Sequence, residues 1–208
     1  MSITSYSTLK STVADYLNRD DVTSQIITFV TLAEAKFQRK LRVRDMLTRA
    51  TATSSNEFVA LPSDFLEHYS LELDVTSSTV DRPRLTFINA EEAKAYKSSR
   101  LSGQVRYYSV IDGAFELLPA PTEDQNLKMT YYAQIPALSD SNTSNWLLVR
   151  SPDLYLYGCL LEAQPYLKDD DRLATWAGVW QSTIDDMMAE SERSMRPTVA
   201  LQARRRSF

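Results

Sequence analysis

Histidine, cysteine and glycine are all scarce in this sequence, and each scarcity removes a class of chemistry. The one histidine, His68, sits beside Tyr69 in a segment that alternates like a strand, where a lone imidazole is a structural or surface group. The one cysteine, Cys159, has no disulfide partner within the chain, and no second thiol or imidazole stands at zinc-ligand spacing, so no metal site is expected. It falls inside an apolar helical stripe, where cysteine behaves as a small hydrophobe. Four glycines, Gly103, Gly113, Gly158 and Gly178, are too few for a phosphate-cradling loop. No run approaches the roughly 20 apolar residues that a membrane-spanning helix needs, so no membrane partner is expected. The opening Met1-Ser2-Ile3-Thr4-Ser5 lacks a basic segment followed by an apolar one, so no signal peptide is expected. Synthesis in a reducing cytoplasm fits the single cysteine.

What is present is ordinary in amount and uneven in distribution. A chain of 208 residues, 43% hydrophobic and 24% charged, suits one large domain or two small ones. All 27 acidic residues lie at or before Glu192, whereas Arg193–Phe208 carries Arg193, Arg196, Arg204, Arg205 and Arg206 and no acid. The formal net charge of −4 therefore divides into −9 on the body and +5 on this end. A basic end on an acidic body suits an arm that grips something negative, and it equally suits a solvated tail that aids solubility.

Periodicity changes twice along the chain. Tyr6, Leu9, Val13, Tyr16 and Leu17 recur at spacings of three and four and predict a first helix, interrupted at Asn18-Arg19-Asp20-Asp21. Thr23 or Asp21 can cap a second helix, from about Val22 to Arg42 and roughly 30 Å long, whose apolar stripe is Ile26, Phe29, Val30, Ala33, Phe37 and Leu41. Its other face carries Glu34, Lys36, Arg39, Lys40, Arg42 and Arg44. Basic residues in the last turns suit the helix dipole by themselves; read functionally, these six mark a contact between subunits.

From Thr48 strands take over. Thr48–Ser54 and Glu57–Leu61 flank the polar pair Ser55-Asn56, which predicts a hairpin, and Tyr69, Leu71, Leu73 and Val75 alternate as a strand. Asn89 with Glu92 makes a capping-box start for a short helix. Val105–Val110 and Ala114–Leu118 read as strands joined at Ile111-Asp112-Gly113, and Leu127–Gln134 as another. Helices then return. Ser151 is expected to cap a helix with Pro152 in its first position, ending near Pro165. Asp169-Asp170-Asp171 is expected to begin the last one, with Leu173, Trp176, Ala177, Trp180, Ile184, Met187 and Met188 in register and Pro197 as its stop. The acidic triplet lacks the alternating oxygen ligands and turn glycine of a calcium loop. The expected fold is therefore α+β: an α-helical bundle of N- and C-terminal helices, with an inserted small antiparallel β-sheet domain and an extended C-terminal arm. The expected boundaries are 1–47, 48–138, 139–196 and 197–208.

Catalytic groups are hard to assemble from this inventory. Glu34, Glu57, Asp64, Glu67 and Glu162 offer carboxylates for a glycosidase-like pair, yet with 27 acids some pair is inevitable and nothing singles one out. No enzyme and no cofactor are expected.

Several blocks, taken in order, carry a family resemblance. They are Tyr16-Leu17-Asn18-Arg19-Asp20-Asp21, Leu32-Ala33-Glu34-Ala35-Lys36-Phe37-Gln38-Arg39-Lys40-Leu41-Arg42-Val43-Arg44 and Leu61-Pro62-Ser63-Asp64-Phe65-Leu66. Further along come Tyr131-Tyr132-Ala133-Gln134-Ile135-Pro136-Ala137-Leu138, Asn145-Trp146-Leu147-Leu148, and Ser151 through Ala163 continuing to Asp170. In these the chain resembles the phage head-to-tail adaptors of the tail-tubular-protein-A kind, related to other head-completion adaptors. None of the blocks is a catalytic signature. The resemblance implies a dodecameric homo-oligomer ring in the virion neck, below a dodecameric portal and above a tail or nozzle protein. Genomic DNA would pass through its lumen without sequence-specific binding.

The end after Pro197 lies outside these blocks. By analogy it is an arm, with Val199, Leu201 and Phe208 filling apolar pockets and Arg204, Arg205 and Arg206 pairing with acidic groups of the portal. Stretched out, Thr198–Phe208 reaches roughly 35–40 Å. Two other readings stay open: a virion-associated neck protein that binds DNA through its arginines, and a cell-wall hydrolase carried by the virion.

Overall fold

A computed structural model of the chain describes residues 2–19, 21–74, 84–98, 103–166 and 172–196. The elements run α1 (Tyr6–Leu17), α2 (Thr23–Lys40), β1 (Leu47–Ser54), β2 (Phe58–Ala60), β3 (Phe65–Leu73), β4 (Thr86–Phe87) and α3 (Ala90–Lys97). They continue with β5 (Tyr107–Ile111), β6 (Ala114–Leu118), β7 (Gln125–Ala133), α4 (Trp146–Arg150), α5 (Pro152–Glu162) and α6 (Leu173–Met195). The class is α+β, as expected. Two units divide the chain: a helical one drawn from Met1–Asp45 and Ile135–Phe208, and a strand-rich one from Met46–Gln134.

In the helical unit α5 is the hub. Leu154, Tyr155, Leu156, Cys159 and Leu160 are buried around it, the signature of a helix wrapped on several sides, and α1, α2 and α6 all pack on it. Gly158 permits a close approach: a Cβ there would stand 3.0 Å from Phe37 Cζ and 3.3 Å from Trp180 Nε1. The helix α1 starts at a capping box in which Ser5 and Thr8 bond each other's backbone N–H, and it ends at Asn18 in the left-handed region (φ 50°). On α2, Ile26, Phe29, Val30, Ala33 and Phe37 are buried as the stripe predicts. That helix begins after Val22 with no side-chain cap, contrary to expectation; Asp21 instead bonds Arg19 (Nε to Oδ1, 2.8 Å).

Ser151 stands at the N-cap of α5 with Pro152 in the first position, as expected, but its side chain makes no capping bond. Its hydroxyl donates to Met187 Sδ at 3.4 Å, tying the start of α5 to α6. The short α4, unanticipated from periodicity, is capped by Asn145, whose Oδ1 accepts from Leu148 N–H at 2.8 Å. The long helix α6 buries only Trp176, Trp180, Ile184, Met187 and Ser191; Ala177 and Met188, expected in the stripe, are exposed. At 1.5 Å per residue α6 is about 34 Å long and α5 about 16 Å, so α6 extends well past α5, and much of its surface is exposed among the described residues.

The strand-rich unit departs from the expected single antiparallel sheet. Two sheets form, ordered β1-β7-β3 and β2-β6-β5-β4, and β4 runs parallel to β5. The expected hairpin across Ser55-Asn56 does not form: β1 pairs with β7 and β2 with β6, so that turn leads from one sheet into the other. Leu71, Leu73, Leu127 and Met129 from the first sheet share one core with Val59, Tyr108, Phe115 and Leu117 from the second. The segment around β4 laces the sheets together, with Leu85 N–H donating to Leu71 C=O and Thr86 N–H to Arg106 C=O. The β5–β6 hairpin and the Asn89–Glu92 capping box form where the sequence places them. Val75, Asp169–Asp171 and everything from Pro197 onward lie outside the described residues.

Candidate functional site

The six charged residues expected at a subunit contact divide by location. Glu34, 9% exposed, faces inward: its Oε1 accepts from Leu138 N–H (2.8 Å) and from the Tyr155 hydroxyl (3.1 Å). Asn145 Nδ2 completes this network, donating to Tyr155 Oη and to Pro136 C=O, both at 2.7 Å. One turn along α2, the Gln38 side chain bonds both the N–H and the C=O of Ile135. This flank of α2 therefore clasps the chain as it returns from the strand-rich segment. Burial pushes the Glu34 carboxyl above the usual carboxylate range, and the same burial, with Glu34 nearby, pushes the Tyr155 hydroxyl up.

The remaining five lie at the C-terminal end of α2 and just beyond it. Lys36 pairs with Glu162 on α5. Lys40 reaches α6, with Nζ 3.1 Å from Gln181 Oε1 and 4.7 Å above the Trp180 ring. Arg42 donates to the Gln38 and Leu41 carbonyls, at 2.8 and 2.6 Å, closing the end of the helix. Arg39 and Arg44 are exposed, and their guanidinium groups have no partner among the described residues; Arg44 is fixed only through its backbone N–H, which donates to Ser191 Oγ at 2.9 Å. A depression of about 260 Å³ is lined by Lys36, Arg39, Lys40 and Trp180.

A second charged face, which the sequence reading did not single out, runs along the C-terminal half of α6. Asp185, Asp186, Glu190 and Glu192 are exposed there. Gln181 donates to Asp185 at 2.9 Å, and Arg150 reaches Glu190 at 2.8 Å, while Asp186 has no partner among the described residues. Exposed apolar side chains accompany both faces: Leu32 on α2 and Val179 on α6. The signal available in the sequence was four acids within eight residues, Asp185, Asp186, Glu190 and Glu192, on one long helix.

The groups weighed for catalysis have structural partners instead. His68 stacks on Phe87, centroids 4.2 Å apart, and meets Tyr108 edge-on; burial pushes its pKa down. Cys159 is buried, which pushes its thiol pKa far up and leaves it unreactive. Asp64 accepts from the Tyr131 hydroxyl at 2.8 Å; burial, and then this bond, push that hydroxyl up to about 12. Glu57 shares Lys97 with Glu116, and Glu162 holds Lys36. Among the described residues no group of three or more His, Cys, Asp or Glu could hold a metal ion, and no helix is long and apolar enough to cross a membrane. The residues expected to bind the portal, Val199, Leu201, Arg204, Arg205, Arg206 and Phe208, lie outside the described residues.

Comparison with curated proteins gives no match. The family model described as SU10 adaptor protein matches residues 4–203, nearly the full length of the chain. That span includes most of both segments of the helical unit and the whole strand-rich unit. The chain belongs to the SU10 adaptor protein family, a family of phage head-to-tail adaptors, and is a structural phage protein.

Proposed function

We propose that this chain is the repeating subunit of a closed ring in the virion neck, docked on the portal above and carrying the tail or nozzle below. The observation that carries the reading is the adaptor family match across residues 4–203. The helical unit supports it, because its long helices leave charged faces open to neighbours. In a ring each copy uses one face toward the copy ahead and a different face toward the copy behind. Lys36, Arg39, Lys40, Arg42 and Arg44 belong to such a face, where charge fixes register and partner more than it adds affinity. A dodecameric ring matches a dodecameric portal, and its lumen passes the genome without reading its sequence.

Residues 198–208 form the arm toward the portal in this reading, with Val199, Leu201 and Phe208 as apolar anchors and Arg204, Arg205 and Arg206 on acidic portal groups. Many arms acting together give strong avidity from weak single contacts. Micrographs of isolated necks are expected to show a ring of this chain against the portal, and deletion of 198–208 is expected to abolish portal capture in a pull-down. Virions lacking the polypeptide at the vertex where DNA leaves would overturn the reading; unchanged portal capture by the deletion would overturn the arm alone. Strongly salt-dependent DNA binding by the isolated chain would favour the arginines as phosphate contacts instead.

A further inference from the structure

Two outward helix faces of the helical unit carry the same spacing of groups with opposite charge. On α2, the exposed Leu32 (45%) is followed seven residues later by Arg39, whose guanidinium has no partner among the described residues. On α6, the exposed Val179 (37%) is followed seven residues later by Asp186, likewise without a partner there. Seven residues are close to two turns, so in each helix the apolar group and the ion stand on one face, about 10 Å apart along the axis. We propose that the α2 face of one copy packs in parallel on the α6 face of the next, setting Leu32 on Val179 and Arg39 on Asp186.

Direction supports the pairing. The helices α2 and α6 both run antiparallel to α5: Phe37 meets Tyr155 while Phe29 meets Tyr166, and Met187 meets Ser151 while Thr183 meets Asp153. They are therefore parallel to each other within one copy. Rotation by a small step about a ring axis nearly preserves direction, so α2 of one copy meets α6 of the next in parallel. Only that orientation brings the two apolar groups and the two opposite ions together at once. A two-fold dimer that reverses one helix sets Arg39 toward Val179 and leaves both ions unpaired. The α6 face is also low: the small residues Thr175, Gly178 and Ser182 are exposed near Val179, and a Cβ on Gly178 would meet nothing within 4 Å beyond its own stretch of helix. A neighbouring helix can come close there.

This inference rests on the ring reading, and the test separates the two. Full-length chains carrying Leu32→Cys are mixed with chains carrying Val179→Cys and oxidised, both as purified protein and in assembled necks; the native Cys159 is buried and gives little background. A mixed disulfide dimer is expected, and one chain carrying both substitutions is expected to give a ladder ending in a closed ring. Arg39→Glu and Asp186→Arg are each expected to weaken self-association at least about tenfold, and the two together to restore it to within about threefold. Circular dichroism checks that each exposed-site variant stays folded. If rings form but no mixed disulfide appears and the double variant is no better than either single one, this face pairing is wrong and the ring reading stands. If the unsubstituted chain forms no ring even in necks, both fall.

Discussion

Removing the Glu34 carboxylate should unfasten the returning chain from α2, and the structure sets the size of the effect. Both bonds to this side chain land on Oε1, from Leu138 N–H and from the Tyr155 hydroxyl, and both donors are buried. Glu34→Ala leaves two buried donors without an acceptor, at about 1–3 kcal/mol each. Relief from burying a carboxylate offsets part of this, so a net loss of about 2–4 kcal/mol is expected. Glu34→Gln keeps an oxygen at the Oε1 position and should cost about 1 kcal/mol or less at neutral pH.

The pH dependence distinguishes a carboxylate from a neutral acceptor. Burial holds the folded pKa of Glu34 above its unfolded value, which lies near about 4.3. A raised folded pKa means that the native state keeps its proton while the unfolded chain has lost it. This contribution to stability is therefore fully present below the unfolded pKa and is lost as pH rises through the folded one. The proton can sit on Oε2 without disturbing either bond. Urea denaturation of the native chain, Glu34→Gln and Glu34→Ala, followed from about pH 4.5 to 8, reads this as a difference between midpoints. The native chain should gain on Glu34→Gln as pH falls. A difference that stays flat across that range, or an alanine variant that costs no more than the glutamine one, would refute the reasoning.

Two further pairs of substitutions test how each unit is held. Lys97→Met leaves Glu116, whose side chain is 5% exposed, without its cation; because Lys97 itself is 38% exposed, the loss should be about 1–3 kcal/mol rather than that of a fully buried pair, and adding Glu116→Gln should recover about half of it in chemical denaturation. Gly158→Ala drives a Cβ to 3.0 Å from the Phe37 ring and should lower the melting temperature, whereas Gly178→Ala meets nothing and should raise that of the isolated subunit, with a gain of up to about 1 kcal/mol; equal effects would contradict the packing described.

Local chemistry was the part of this fold that the sequence expressed most clearly. The capping box of Asn89 with Glu92 and the apolar stripe on α2 depend on neighbours along the chain and are readable without knowing the rest, whereas the capping bonds expected at the starts of α2 and α5 do not form. The Ser55-Asn56 turn misled for the complementary reason. Alternation and a polar pair identify two strands and a bend, but not which strands they will pair with, and the partners of β1 and β2 come from β7 and β6, far along the chain. The parallel strand β4 is two residues long and has no period to detect. At the candidate site the charges of the second helix were visible, while the inward turn of Glu34 was not. Its helical phase lies at the border between faces, and only the return of Leu138 and Tyr155 decides which way it points.

The division of ionic groups in the helical unit bears on how an adaptor subunit works. Where a charge is buried, as at Glu34, it is matched by donors from segments far apart in sequence, so it fixes the subunit's own shape. Where charges stand unmatched among the described residues, Arg39 and Asp186 lie on exposed helix faces and Arg44 just beyond the end of α2. An exposed ion without a partner adds little to the stability of a lone chain. A neighbour of opposite charge, brought against it with water excluded, makes the same ion selective for one register and one orientation. In the proposed ring the interior would specify the part, and the unpaired exterior would specify where the part fits.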